Sequence, residues 1–406
     1  MGVHASLESS AASASGALNV LSHTGANDSS SSTTLMTRSS GAGVYSCPVG
    51  AAKWAVLYRN SSGYPCVAIV SRNTGTNKPD LGSEYVLQTS SLAVHGIFPH
   101  PTDPTKVVVH YAGKVVIATF SDTTFSSHTT LTTTYSGDAG FAPFPDAPSK
   151  FAIFSYSDPN LRYEKIDASG STATSDATGT LNIGAATDVR AAALSEDRGA
   201  CAIGYSGNST FIMQIFTISG GTLTAQVQGS LSLGGSSHRL NHPGTDRNAG
   251  IFVSIDATTE DALIFVSTYS GAISDDILQV YYYDKSAASC TLMTPTYATS
   301  PEDIKSGTIG LHDASFLPFV DTAHNGFGAI LTSESGGGSF RFIYPRLNGT
   351  SAKGGFAVSG LNKAFTNGAS GAEEVISVAI DDNLQYALFL NYSSATGVMG
   401  WIINLE

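Results

Sequence analysis

Basic residues are scarce in this sequence. Its 20 Lys and Arg are outnumbered by 32 Asp and Glu, giving a formal net charge of −12. A nucleic-acid surface needs clustered cations to displace phosphate counterions, so that class of partner is set aside. The acidity itself reads as solubility. Long apolar runs are missing as well, and no stretch approaches the ~18 residues of a membrane-spanning helix. The opening "MGVHASLESSAASASGALNVLSH" has neither the basic start nor the continuous apolar stretch of a secretory signal. Cysteine is rare and scattered: Cys47, Cys66, Cys201 and Cys290 form no C-x-x-C pair. They are expected to be buried free thiols, not disulfides or metal ligands, which suits assembly in a reducing compartment.

The common catalytic signatures are absent too. The chain has no nucleophile elbow, phosphate-binding loop, H-E-x-x-H or Cys/His cluster. His238 and His242 lie four apart but ahead of Pro243, among Gly and Ser, so a surface loop is expected there. Glu373 and Glu374 adjoin, and on a strand they point to opposite faces, too far apart in direction for an acid/base pair. No metal site, catalytic residue or cofactor is assigned.

Only 13% of residues are charged, too few for long amphipathic helices, while Gly, Ser and Thr abound. That balance suits short strands joined by tight turns. A unit recurs seven times: "AKWAVLYRNSSG", "TKVVVHYAG", "SKFAIFSYSD", "RGACAIGYSG", "EDALIFVSTYSG", "NGFGAILTSESG" and "LQYALFLNYSS". Six of the seven carry a Tyr before the turn: Tyr58, Tyr111, Tyr156, Tyr205, Tyr269 and Tyr392. An apolar strand and an acidic or Pro-containing turn precede each copy. Two more strands follow most copies, the second of them polar. The spacing is roughly 44 to 65 residues. A continuous apolar run is the mark of a strand covered on both faces, and alternation with Thr or Ser marks a wet rim. Asp146, Asp197, Asp256, Asp321, Asn325 and Asp381 sit in the first turn of a copy and are read as turn formers.

This repeat grammar resembles a seven-bladed β-propeller, an all-β fold of four-stranded antiparallel blades, over residues 30–406. The Trp-Asp dipeptide of Trp-Asp repeats is absent, and the Gly-Gly pairs do not recur at one place per blade as in Kelch repeats. The expected first strands are Gly43–Pro48, Val94–Pro99, Gly140–Phe144, Val189–Leu194, Ile251–Ile255, Phe316–Val320 and Val375–Ile380. The chain ends three strands into its last blade. "STTLMTRSSGAGVYSCPVG" near the start resembles the interior connection "HTTLTTTYSGDAGFAPFPD". Thr33–Ser39 should therefore pair with Val398–Leu405 and close the ring, leaving no bare edge.

Residues 1–29 remain as a Ser/Ala-rich arm. Leu18, Val20 and Leu21 in "ALNVLSH" are too few to fold alone but suit strand addition to a neighbour's sheet edge. Taken together, the arm, the free thiols, the low charge and the missing signal resemble accessory virion proteins of tailed bacteriophages. That resemblance implies a non-enzymatic structural subunit, assembled in the host cytoplasm, with protein partners or further copies of itself. The alternative is a carbohydrate-binding (receptor-binding) or glycan-cleaving propeller with an extracellular role. Its best polar cluster is His312 and Asp313 in "LHDASF", expected near the channel mouth, with no Ser or Cys nucleophile to pair with it.

Overall fold

Runs such as "KWAVLYR" (Lys53–Arg59) and "KVVVHY" (Lys106–Tyr111) leave nearly every residue buried, because each such strand has a sheet on both sides. Outer strands behave differently. "TFSSHTTLT" (Thr124–Thr132) and "TSDATGTLN" (Thr174–Asn182) expose most of their hydroxyls to water. A computed structural model describes residues 33–36, 43–186, 188–205, 210–232, 238–239, 251–255, 259–270, 275–292, 315–319, 328–335, 339–347, 356–359, 364–366, 373–383, 385–393 and 397–404. Every regular element among them is a β-strand. No helix there is long and apolar enough to cross a membrane.

The described strands form seven antiparallel sheets, four of four strands and three of five. The first strands are Tyr45–Gly50, Val94–Pro99, Gly140–Phe144, Asp188–Ser195, Ile251–Ile255, Ser315–Phe319 and Glu373–Ile380. They head blades 1 to 7 in that order. Each packs beside the first strand of the blade before and the blade after, and Glu373–Ile380 returns to Tyr45–Gly50. The strands thus circle a common axis, which is a β-propeller. Expected and observed first strands agree to within two residues at each end.

The core is a series of layers between blades. Cys47, Leu57, Val67 and Ile69 of blade 1 meet Ile97, Val109 and Phe120 of blade 2. Blades 3 and 4 share Phe154, Tyr163, Cys201 and Phe216. All four cysteines are free, with Cys47 on the first and Cys66 on the third strand of blade 1. Tyr281, Tyr282 and Tyr283 on the third strand of blade 5 are all buried.

Three blades depart from the plain pattern. In blade 1 the expected polar fourth strand is two short pieces, Pro79–Leu81 and Tyr85–Val86, both paired with Pro65–Arg72. Between them Gly82 presses so close that a Cβ would lie 2.3 Å from the Thr123 carbonyl oxygen of blade 2. Blade 6 splits its fourth position similarly, into Phe356–Ser359 and Ala364–Thr366. In blade 5 the innermost position is divided between His238–Arg239 and Ile251–Ile255, so His238 is in a strand and not the expected loop.

Ring closure is by mixed termini. Thr33–Met36 runs antiparallel to Gly397–Asn404, with Thr33 opposite Gly400 and Met36 opposite Val398. The described pairing is shorter than the expected Thr33–Ser39. A Cβ at Gly400 would lie 2.5 Å from Leu35 Cδ1, so the closing strand needs glycine there to approach.

Turn aspartates do more than shape their own turns. Asp381, almost fully buried, takes the Gln385 and Tyr386 N–H groups on Oδ1, at 2.8 and 2.9 Å. Its Oδ2 accepts from Ala52 N at 2.9 Å, across the seam to blade 1. Asp146 of blade 3 likewise accepts from Glu196 N of blade 4 at 2.8 Å. Asp256, Asp321 and Asn325 lie outside the described residues, as does the boundary expected at residues 29 and 30.

Two outcomes follow. Removing residues 1–36 strips the closing ladder and the burial of Leu35 and Met36, and should cost on the order of 5 kcal/mol; a drop in melting temperature with aggregation is the readout. Asp381→Ala strands three N–H groups and should lower the unfolding free energy by roughly 3 kcal/mol in chemical denaturation.

Candidate functional site

The blade ends nearest the connections between sheets carry the chain's recurring tyrosines. Tyr58 OH donates to Glu84 Oε2 at 2.8 Å, and burial together with that carboxylate pushes its phenol far up. Tyr156 OH accepts from Ala186 N at 2.7 Å, while Tyr205 OH donates to the Ile183 carbonyl at 2.7 Å. Two successive blades thus hold one connection. The side chains of Tyr269 and Tyr392 lie outside the described residues.

At the same end, between blades 2 and 3, a different group of side chains meets. The first strand of blade 2 shifts register between Val94 and Gly96, so His95 is the extra residue of a β-bulge. Opposite Gly96 stands His110, at the end of an apolar run and with no solvent exposure. The two imidazoles lie 5.2 Å apart, centroid to centroid. His110 also lies 4.8 Å from Phe141, which stacks on Phe151 at 5.3 Å. An aromatic column therefore runs along the joint, with His95 at its end.

The connection 133–139 covers this column and is fastened by blade 3. Glu164, fully buried, accepts from Thr134 N (2.7 Å), Tyr135 N (3.2 Å) and Ser175 Oγ (2.7 Å). Ser155 Oγ accepts from Gly137 N at 2.6 Å. Ser136 Oγ donates to Asp138 Oδ1 at 3.3 Å, and Arg190 donates to the Asp138 carbonyl at 3.3 Å. His95 Nε2 and both nitrogens of His110 are sealed from solvent without a hydrogen-bonding partner. Burial pulls the His95 pKa down to about 4, with Asp138 opposing and Arg190 adding. Burial, then the neighbouring His95, takes His110 well below the usual imidazole range.

Chemically this arrangement is an inward-turned cluster. Ser136 spends its hydroxyl on a carboxylate, not on an imidazole. Among the described residues no three His, Cys, Asp or Glu side chains gather as a metal site. The sequence-based candidates Leu18, Val20, Leu21, His312 and Asp313 lie outside the described residues. The His95–His110 pair was missed by sequence reasoning. A usable signal existed in "VHGIF" and "VVVHY": a titratable ring inside a run expected to be covered on both faces.

Gly137 has a φ of +79°, and a Cβ there would lie 2.0 Å from His110 Cε1. Gly137→Ala should therefore destabilise by about 2–5 kcal/mol, from left-handed strain plus overpacking. Paired with His110→Ala, part of that loss should return in a double-mutant cycle.

No protein-family model matches the sequence, and no curated protein sequence does either. Solved structures do resemble the chain. Sqt1 from Chaetomium thermophilum superposes with a TM-score of 0.51 at 13% identity, over 93% of this chain and 99% of that one. The BP39L lectin from Burkholderia pseudomallei gives a TM-score of 0.54 at 12% identity, over 90% and 97%. The β-propeller domain of the Trilobed protease from Pyrococcus furiosus gives 0.42 at 10% identity, over 90% and 98%. The sheet order and the first two likenesses agree on one fold, the β-propeller.

Proposed function

We propose that this chain is a non-enzymatic interaction subunit, a stiff propeller disc held in a larger assembly by its N-terminal arm. An accessory protein of a bacteriophage particle, assembled in the host cytoplasm, is the setting that suits it best. The observation that carries this reading is how the recurring polar side chains are used. Asp146 and Asp381 tie one blade to the next, and Tyr58, Tyr156, Tyr205 and Glu164 fasten connections. Side chains committed in this way build a rigid frame. A rigid frame loses little conformational entropy when its loops dock on a partner. Leu18, Val20 and Leu21 of the arm would provide the attachment by strand addition to a protein neighbour or a second copy.

A glycan-binding role is the second reading, and one place favours it. Tyr85 lies at the outer seam of blades 1 and 2, its OH 3.1 Å from His128 Nδ1 and its ring edge-on to that imidazole. Exposed Val86 adjoins it, and the hydroxyl-rich strand Thr124–Thr132 runs alongside. An aromatic ring among hydroxyls suits the apolar face and rim of a sugar. The lectin likeness supplies the fold for such a role and nothing finer.

A variant lacking residues 1–25 retains Thr33–Met36, so it should melt unchanged yet fail to join its native complex, read by mass photometry. Full incorporation of that variant overturns the arm's role. Binding of the full chain to a glycan array, lost on Tyr85→Ala, would select the second reading.

A further inference from the structure

Neither ring nitrogen of His110 has a partner, and the packing explains why none can be supplied. A Cβ on Gly137 would lie 2.0 Å from Cε1, 2.7 Å from Nδ1 and 3.0 Å from Nε2. The nitrogen-bearing edge of the ring therefore abuts the Gly137 backbone, which leaves no room for a metal ion at that edge. A neutral imidazole tolerates this slot at the cost of its unmade hydrogen bonds. An imidazolium would bury a full charge with no acceptor, which is far more expensive.

The charged and titratable groups around the pair are few. Asp138 comes from the connection, Arg190 from the first strand of blade 4, and Glu164 from the third strand of blade 3. Glu164 is turned to the backbone of Thr134 and Tyr135, and Asp138 to Ser136. The elements bearing Phe141 and Ser155 add no charge at the rings.

We propose that His95 and His110 make the connection 133–139 an acid-released latch. Proton uptake by either imidazole drives His110 out from against Gly137 and frees the connection, while the apolar layers keep the ring of blades closed. The direction follows from linkage. Both imidazoles are harder to protonate folded than unfolded, so the stability they allow is complete above about pH 6.5 and declines as pH falls towards 4. The same proton that destabilises the fold is admitted at lower cost by local opening. The latch works whatever the disc binds.

The test is hydrogen exchange with mass spectrometry on the full chain at pH 7.5 and 4.5, each corrected for intrinsic exchange. Residues 133–139 should exchange at least about tenfold faster in acid, while the strand Arg198–Gly204 stays protected. The double variant His95→Leu, His110→Leu should lose that acceleration. Equal acceleration in wild type and variant, or none in wild type, overturns the proposal. Should the variant not fold, the wild-type His ring resonances decide. A ring titration that coincides with opening of 133–139 and precedes global unfolding supports the latch; rings that stay neutral until global unfolding refute it.

Discussion

No blade of this protein can bury its own faces. A four-stranded sheet is wet on both sides until a neighbour covers it, so each apolar layer belongs to two blades at once. The ring is therefore one cooperative body, and its weakest requirement falls where the chain's two ends must meet. Leu35 and Met36 answer it by packing into a layer with Trp54, Val56 and Tyr58 of blade 1 and Leu388, Leu390 and Val398 of blade 7. The closing strand completes one sheet by hydrogen bonds and seals the next seam by its side chains.

Apolar layers set the distance between blades but leave their relative rotation loosely defined. Directional bonds supply what the layers lack. Asp381 reaches Ala52 and Asp146 reaches Glu196, at turns joining first to second strands, and Lys165 on the third strand of blade 3 pairs with the same Glu196. At the opposite blade ends the tyrosine hydroxyls do the same for the connections. Buried polar groups cost stability unless satisfied, and Asp381 and Glu164 are each met by three donors.

Much of this was legible in the sequence because burial on two faces erases alternation. "KWAVLYR" and "KVVVHY" could be read as covered strands without knowing what covered them. Ring closure was legible through the likeness of "STTLMTRSSGAG" to "HTTLTTTYSGDAG", since both join a rim strand to an axis strand. What stayed hidden depends on register and contact. The bulge at His95 exists only relative to His110 across the pair, and composition carries no trace of it. The break in the outer strand of blade 1 accompanies a close backbone approach to Thr123 of the next blade, a neighbour about forty residues on in sequence. Turn aspartates were readable as turn formers, but their second oxygen and its partner in the following blade were not.

The joint between blades 2 and 3 shows how these two kinds of bonding divide the work. Its apolar part is aromatic, with Phe98, Phe141 and Phe151 in mutual contact. Its polar part is uneven: Glu164 and Ser155 grip the connection from blade 3, while His95 and His110 leave three ring nitrogens unmatched on the other side. Each unmet buried group costs about 1–3 kcal/mol, which is a large share of any single joint. A closed ring can bear that cost at this joint because its neighbours still enforce the geometry. The strain is then confined to the short connection that Gly137 threads past His110, where it can be relieved without parting the blades.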